Sequence, residues 1–139
     1  MKNVIILVVG LLFSATTIKA IEVPAAIQNA FQQKFPTAKK VKWEKEKSND
    51  YEVSFVLNDK EVSALYSPEG QLKETETEIS ISELPKAVID ALNKKYPNIR
   101  IDEAAKIERA DNSIIYETEV KIKKKKTDVL FDQNGNETN

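Results

Sequence analysis

The sequence predicts an α+β protein with two tandem repeats, each a helix followed by a four-stranded antiparallel meander. Both helices are expected to pack on one face of a shared or adjoining sheet. Two observations support this: a helical stretch at 23–36 recurs at 84–97, and each copy is followed by strand-length segments in which apolar and polar residues alternate. A recurring segment indicates the number of structural units. We therefore expect repeat 1 at 21–80 and repeat 2 at 81–139.

The first twenty residues have the layout of a secretory signal peptide. An apolar run at 4–13 follows Lys2 and precedes small and polar residues that end at Ala20. The run is shorter than the ~20 apolar residues that cross a bilayer, so we expect a cleaved signal at 1–20 and no membrane span afterwards. A periplasmic or secreted location follows. The 119 residues that remain of the 139 suit one core.

Each repeat is expected to begin with a short amphipathic helix. Apolar residues recur at the helical period in both copies: Val23, Ile27, Ala30, Phe31 and Phe35, then Leu84, Val88, Ala91, Leu92 and Tyr96. Pro24 and Pro85 suit the first turn of a helix, and Pro36 and Pro97 disfavour its continuation. The pattern predicts two helices of about twelve residues, too short to persist alone in water. Each helix must therefore pack on the sheet.

The strands that follow also correspond between the copies. We expect strands at 41–44, 51–57, 61–66 and 71–79 in repeat 1, and at 99–101, 116–122 and 126–131 in repeat 2, with the last strand short or absent. The turns at 67–70 and 132–135 both end in Gly, which suits a tight connection. The spacing grows from 61 residues between Val23 and Leu84 to 65 between Tyr51 and Tyr116, which predicts a four-residue insertion near 102–112.

The composition argues against catalysis. The chain has no His and no Cys, so it lacks the usual general base, thiolate nucleophile, zinc ligands and disulfides. Carboxylates such as Glu74, Glu76 and Glu78 alternate along a strand, which is typical of a solvated sheet surface; a carboxylate-dependent hydrolase would need two facing acids in a cleft. The segment 132–137 has its Gly at the fourth position of a calcium-type loop instead of the sixth. We expect no enzyme activity, no cofactor and no bound metal.

The charge balance is that of an ordinary soluble surface. The chain has 21 basic and 22 acidic residues, and loss of Lys2 and Lys19 with the signal leaves 19 basic residues and a net charge of −3. Neither nucleic acid nor an anionic membrane is an expected partner. We expect a monomer.

The places where the copies differ supply the candidate contacts. The run Lys123, Lys124, Lys125 and Lys126 stands where repeat 1 has Asn58-Asp59-Lys60-Glu61. It could steer an acidic partner, or it could be a solvated turn that discourages edge-to-edge aggregation. Trp43 has no aromatic counterpart, since Ile101 takes its place in repeat 2, so Trp43 is the candidate for a copy-specific partner contact, with packing in the core as the alternative.

The apolar-Pro start, the aromatic-Pro end and the strand meander with a Gly turn resemble the PepSY-like family of beta-lactamase-inhibitor-like exported proteins. The residues that carry the resemblance are Val23-Pro24, Phe35-Pro36, Trp43, Tyr51-Glu52 and Gly70, then Leu84-Pro85, Tyr96-Pro97, Tyr116-Glu117 and Gly135. It covers nearly the whole mature chain. It implies a tandem helix-plus-sheet layout and inhibitory or chaperone-like contact with an exported enzyme.

Together these observations predict a non-enzymatic exported protein-binding module. It would present the open face of its sheet and its hairpin tips to another envelope or secreted protein, as an inhibitor or a chaperone-like partner. The alternative is a small-ligand-binding or envelope stress-sensing protein, which would need a cavity between the helices and the sheet.

Overall fold

The computed structural model describes residues 21–138, so the predicted signal segment 1–20 lies outside the described residues. The helices are α1 (Ala25–Lys34) and α2 (Lys86–Lys95), and a short 3₁₀ helix spans Ile81–Glu83. The strands are β1 (Lys39–Lys45), β2 (Tyr51–Leu57), β3 (Lys60–Tyr66), β4 (Leu72–Ile79), β5 (Ile101–Arg109), β6 (Ile114–Ile122), β7 (Lys125–Asp132) and β8 (Glu137–Thr138). Neither helix among these residues has the length and apolar character needed to cross a bilayer.

All eight strands belong to one sheet. Their order follows the chain from β1 to β8, and every neighbouring pair is antiparallel. The two halves join where β4 pairs with β5, from Glu74 opposite Arg109 to Ile79 opposite Ala104. The α+β class with an antiparallel sheet is confirmed, and the sheet is shared.

The two helices are shorter than expected and have the same kind of ends. Each has ten residues and directly follows a proline whose carbonyl accepts helical hydrogen bonds, as in Gln28 N to Pro24 O at 3.1 Å. The N–H groups of Phe35 and Tyr96 donate to carbonyls one turn back at 2.8 Å. Since the residue before a proline is pushed out of helical geometry, each helix ends at the lysine before it.

The helices cover one and the same face of the sheet. Val62 lies opposite Thr77, Thr77 lies opposite Lys106, and Lys106 lies opposite Tyr116. These four positions therefore share a face. Two core clusters lie between this face and the helices. The cluster at α1 consists of Val23, Ile27, Phe31, Phe35, Tyr51, Val53, Phe55, Val62, Ala64 and Tyr66. The cluster at α2 consists of Leu84, Val88, Leu92, Ala104, Val120, Val129 and Phe131. The other side, which we call the open face, carries the residues that alternate with these along the strands.

The insertion in the second half lengthens a hairpin. Trp43 of β1 lies opposite Val53 of β2, and at the corresponding place Ala104 of β5 lies opposite Thr118 of β6. Ala104 follows Trp43 by 61 residues, whereas Thr118 follows Val53 by 65. The extra residues therefore add two positions to β5 and two to β6. Two sequence-based details were wrong: β5 does not span 99–101 but begins at Ile101 and runs to Arg109, and Ala104 occupies the place assigned to Ile101. Sequence spacing alone cannot show how an insertion divides between two paired strands.

Candidate functional site

The open face is strongly acidic. Its charged positions follow from the strand register, because residues directly opposite each other share a face. Its acidic residues include Glu52 on β2, Glu74, Glu76 and Glu78 on β4, Glu103 on β5, Glu117 and Glu119 on β6, and Asp128 on β7. Its basic residues include Arg109 and Lys126.

Four of these carboxyl groups have raised pKa values; the pKa of Asp128 is raised mainly by burial, and the carboxylate of Glu119 adds to the effect. Burial raises the pKa of Glu117 to about 8, with further contributions from the carboxylates of Glu76 and Asp128. Burial likewise raises the pKa of Glu76 to about 7, with Glu52 and Glu74 adding to the effect. For Glu52, burial and the nearby acidic residues of β1 and its loop raise the pKa to about 7. We call Glu52, Glu76 and Glu117 the acidic band.

The acidic band lacks counter-ions within residues 21–138. No ion pair of the described residues includes Glu52, Glu76 or Glu117. Glu117 is 6% exposed, and its Oε2 is buried without a hydrogen-bond partner among the described residues. A buried acceptor left unsatisfied costs about 1–3 kcal/mol. The fold therefore holds carboxyl groups here at a cost to stability, a pattern that is common at functional sites.

The flanks of the band are electrostatically compensated. Arg109 Nε lies 3.6 Å from Glu74 Oε2, and Lys126 Nζ lies 2.6 Å from Glu119 Oε1. Glu119 is 3% exposed, and its Oε2 is buried without a hydrogen-bond partner in the described chain. Positive charge thus reaches both sides of the acidic band, while the band itself contains only carboxyl groups.

A small apolar cluster borders the acidic band on the same face. Ile107, Ile115 and Leu130 are buried against one another, and neither helix contributes to this cluster. Ile107 lies opposite Glu76, and Leu130 lies opposite Glu117. Because all three residues are buried, they place an apolar surrounding beside the carboxyl groups, and charges attract each other more strongly in such a surrounding than in water.

Trp43, the predicted partner contact, lies on the helix side of the sheet. It is half-buried, and its ring centroid is 5.3 Å from that of Phe31 and 6.2 Å from that of Tyr66. The structure does not bring Trp43 to the acidic band.

The four consecutive lysines do not act as one cluster. Lys123 and Lys124 form a two-residue hairpin turn with φ of 48° and 68°, like Asn58 and Asp59 with 51° and 63°. Lys125 and Lys126 are the first residues of β7, and alternation along a strand directs their side chains to opposite faces. Only Lys126 reaches the open face, where it pairs with Glu119.

The residues that the structure brings together are not evident from the sequence. Glu117, Glu119, Ile107 and Ile115 were not candidates, because alternating carboxylates were interpreted as a solvated surface. One available signal was the Tyr-Glu pair at the same place in both copies, Tyr51-Glu52 and Tyr116-Glu117. In both pairs the tyrosine faces the helix side and the glutamate belongs to the acidic band.

Within residues 21–138, no group of three or more acidic side chains is arranged to hold a metal ion. A depression of about 200 Å³ lies away from the helix–sheet core, lined by Thr37, Lys39, Val56, Asn58 and Asp59.

Comparison with known proteins gives one family match and several similar folds. The family model described as "Putative beta-lactamase-inhibitor-like, PepSY-like" matches residues 14–74 and 56–138. A periplasmic protein of Bacteroides eggerthii is 20% identical, with a TM-score of 0.76, over 85% of this chain and 87% of that one. A protein of Bacteroides uniformis is 22% identical, with a TM-score of 0.76, over 85% and 88%.

A further similar structure is described as a BLIP-like protein, from Bacteroides fragilis. It is 27% identical with a TM-score of 0.71, over 87% of this chain and 86% of that one. No curated protein matches the chain significantly. The family model covers nearly all of the described residues, so the chain belongs to the PepSY-like family of beta-lactamase-inhibitor-like proteins.

Proposed function

We propose that this chain is a non-enzymatic exported protein-binding module that presents the open face of its sheet to another envelope or secreted protein. The observation that supports the proposal is the open face itself, where Glu117, buried without a counter-ion among residues 21–138, adjoins the apolar cluster of Ile107, Ile115 and Leu130. The family description favours an inhibitory or chaperone-like role for the contact. The division into repeats at 21–80 and 81–139 is part of the same proposal.

A periplasmic or secreted location fits this function. The N-terminal sequence is typical of a signal peptide, and the relative from Bacteroides eggerthii is described as periplasmic. A protein of this location meets other exported proteins, including secreted enzymes of the kind that the family name suggests.

Most of the sequence-predicted contacts lie off the open face, and Trp43 lies on the helix side of the sheet. Trp43 lies on an edge strand, and Lys123 and Lys124 lie at a hairpin tip. We propose that they act as peripheral contacts to a partner that covers the open face. The protein would bind as a monomer.

The proposal can be tested by capture from periplasmic extract with residues 21–139 as bait. Ser63, which lies on the open face opposite Glu76, is changed to Arg to block the face. The matched control is Asn29→Arg on the exposed side of α1. We expect the unaltered protein and the Asn29 variant to retain the same partner and the Ser63 variant to lose it. Equal retention by both variants, or no specific partner, would contradict the proposal.

A further inference from the structure

We infer that the open face recognises a lysine- or arginine-rich segment of the partner, whose cationic groups pair with the partly exposed Glu52 and Glu76 next to the buried carboxyl group of Glu117. This inference rests on the proposed protein-binding function and adds the chemistry of the partner.

The charge distribution carries the first step. The groups that face the acidic band from neighbouring strands are mostly acidic: Glu44 and Glu46 near Glu52, and Glu74, Glu119 and Asp128 near Glu76 and Glu117. The cations on this face are Lys42, Arg109 and Lys126, which are paired with Glu44, Glu74 and Glu119, and Lys121, which lies opposite Lys126. The acidic band is therefore where an external cation gains most, since complementary charge governs the specificity of an interface.

The second step distinguishes a protein cation from a metal ion. Calcium needs six or more oxygen ligands around one point, whereas the acidic band is spread over β2, β4 and β6, and no metal-holding group of acids was found among the described residues. Lysine and arginine carry one charge at the end of a long stem, so several of them on one chain segment can each reach a carboxyl group on a different strand. Ile107, Ile115 and Leu130 are buried beside these carboxyl groups, and this apolar surrounding strengthens the attraction of the carboxyl groups for a cation.

Proton release should accompany this binding. Without a cation, the raised pKa values of Glu76 and Glu117 leave these carboxyl groups partly protonated near pH 7. A cation favours the ionised form and lowers both pKa values, so its binding expels protons. Affinity should accordingly rise with pH until both groups are ionised.

The test is calorimetric titration with a hexa-arginine peptide, and hexa-citrulline serves as its neutral isostere. We expect the arginine peptide to bind at least about tenfold more tightly at pH 9 than at pH 6, with proton release near pH 7, and the citrulline peptide not to bind. The double variant Glu76→Gln with Glu117→Gln should lose at least about tenfold in affinity at pH 9. The matched control, Asp59→Asn with Glu69→Gln in exposed turns, should bind like the unaltered protein.

Equal losses in the two double variants would overturn the inference, because they would reduce it to nonspecific attraction. Absence of arginine-peptide binding, or a pH-independent affinity, would also overturn it. The same double variants used as bait separate this inference from the proposed function. A partner lost with Ser63→Arg but retained by Glu76→Gln with Glu117→Gln would contradict cationic recognition and leave protein binding standing.

Discussion

At the scale of single residues, Glu117 links stability to pH. Its pKa is about 8 in the folded protein, against an ordinary value of 4.5, because it is buried. The folded state thus holds this proton more tightly than the unfolded chain. The stabilisation that comes from this bound proton is fully present below the pKa that Glu117 has in the unfolded chain. It is lost as the pH rises through the pKa that Glu117 has in the folded protein.

The Glu117→Gln substitution should make stability less dependent on pH. In the unaltered protein, Glu117 should lower the free energy of unfolding by on the order of 2–4 kcal/mol between pH 5 and pH 9. We expect the substitution to abolish this contribution. Part of the decrease should remain, since Glu52 and Glu76 also have raised pKa values. Urea denaturation at pH 5, 7 and 9 measures the effect, and Glu69→Gln is the exposed control. If the two variants have the same pH profile, the assignment to Glu117 is wrong.

A second residue-scale feature is the ion pair between Asp50 and Lys73. Asp50 is buried, and it accepts hydrogen bonds from Lys73 Nζ at 2.7 Å and from Ser48 Oγ at 3.0 Å. These contacts tie the loop between β1 and β2 to the start of β4.

Removing the Lys73 cation should destabilise the protein. We expect Lys73→Met to lower the free energy of unfolding by about 1–3 kcal/mol, because it leaves a buried carboxylate with a weaker partner. The control is Lys86→Met, which breaks the solvent-exposed pair with Asp90 and should cost less than about 0.5 kcal/mol. Chemical denaturation of both variants distinguishes the cases, and similar losses would argue against a special role for Asp50.

At the scale of elements, two equivalent turns differ in how closely they approach a helix. Gly70 and Gly135 both have positive φ, at 87° and 81°. A Cβ on Gly135 would overlap the carbonyl oxygen of Ala87 at the start of α2, whereas one on Gly70 would lie 3.5 Å from the backbone of Ala26, which is an ordinary contact. Only the second turn therefore depends on glycine for space as well as for conformation.

Alanine substitution should separate these two requirements. We expect Gly70→Ala to cost about 1 kcal/mol for its backbone conformation alone. Gly135→Ala should cost about 2–4 kcal/mol, because α2 must also shift from the turn. Thermal or urea unfolding measures both changes, and equal costs would indicate that α2 adapts freely.

The lysine turn between β6 and β7 is another element under conformational strain. Lys123 and Lys124 both adopt positive φ, which a two-residue hairpin turn of this type requires but which suits Asn and Gly better. We expect Lys123→Asn with Lys124→Gly to raise the free energy of unfolding by about 1–2 kcal/mol. Lys123→Gln with Lys124→Gln removes the same charges but keeps the strain, so it should leave stability nearly unchanged. A gain with the glutamine pair would instead point to charge repulsion.

At the scale of the whole molecule, the junction of β4 with β5 decides where the acidic band lies. Thr75 and Thr77 of β4 face the helix side, while Glu74, Glu76 and Glu78 face the open side. Pairing with β5 makes β4 an interior strand and brings Glu76 opposite Ile107. Carboxylates that could have bordered a free edge are thus placed in the middle of the sheet.

The elements were largely predictable because their signals are local. Helical periodicity between two prolines located α1 and α2 to within two residues, and alternation with a Gly turn located β2, β3, β6 and β7. The weaker predictions were β5 and the insertion, where local alternation does not reveal which residues pair. The candidate site was predicted least well, since a carboxylate on a solvated strand and one on a buried strand look the same in sequence.

The sequence by itself determined the α+β class, the positions of both helices and most strands, and the resemblance to the PepSY-like family. These depend on spacing and on residue types that act over a few neighbours. Only the tertiary structure decided that the halves share one sheet, that Trp43 packs against Phe31, and that Glu52, Glu76 and Glu117 form one acidic band. Burial and charge proximity depend on strands far apart in the chain, and pairing between such strands is set by the packing of the whole molecule.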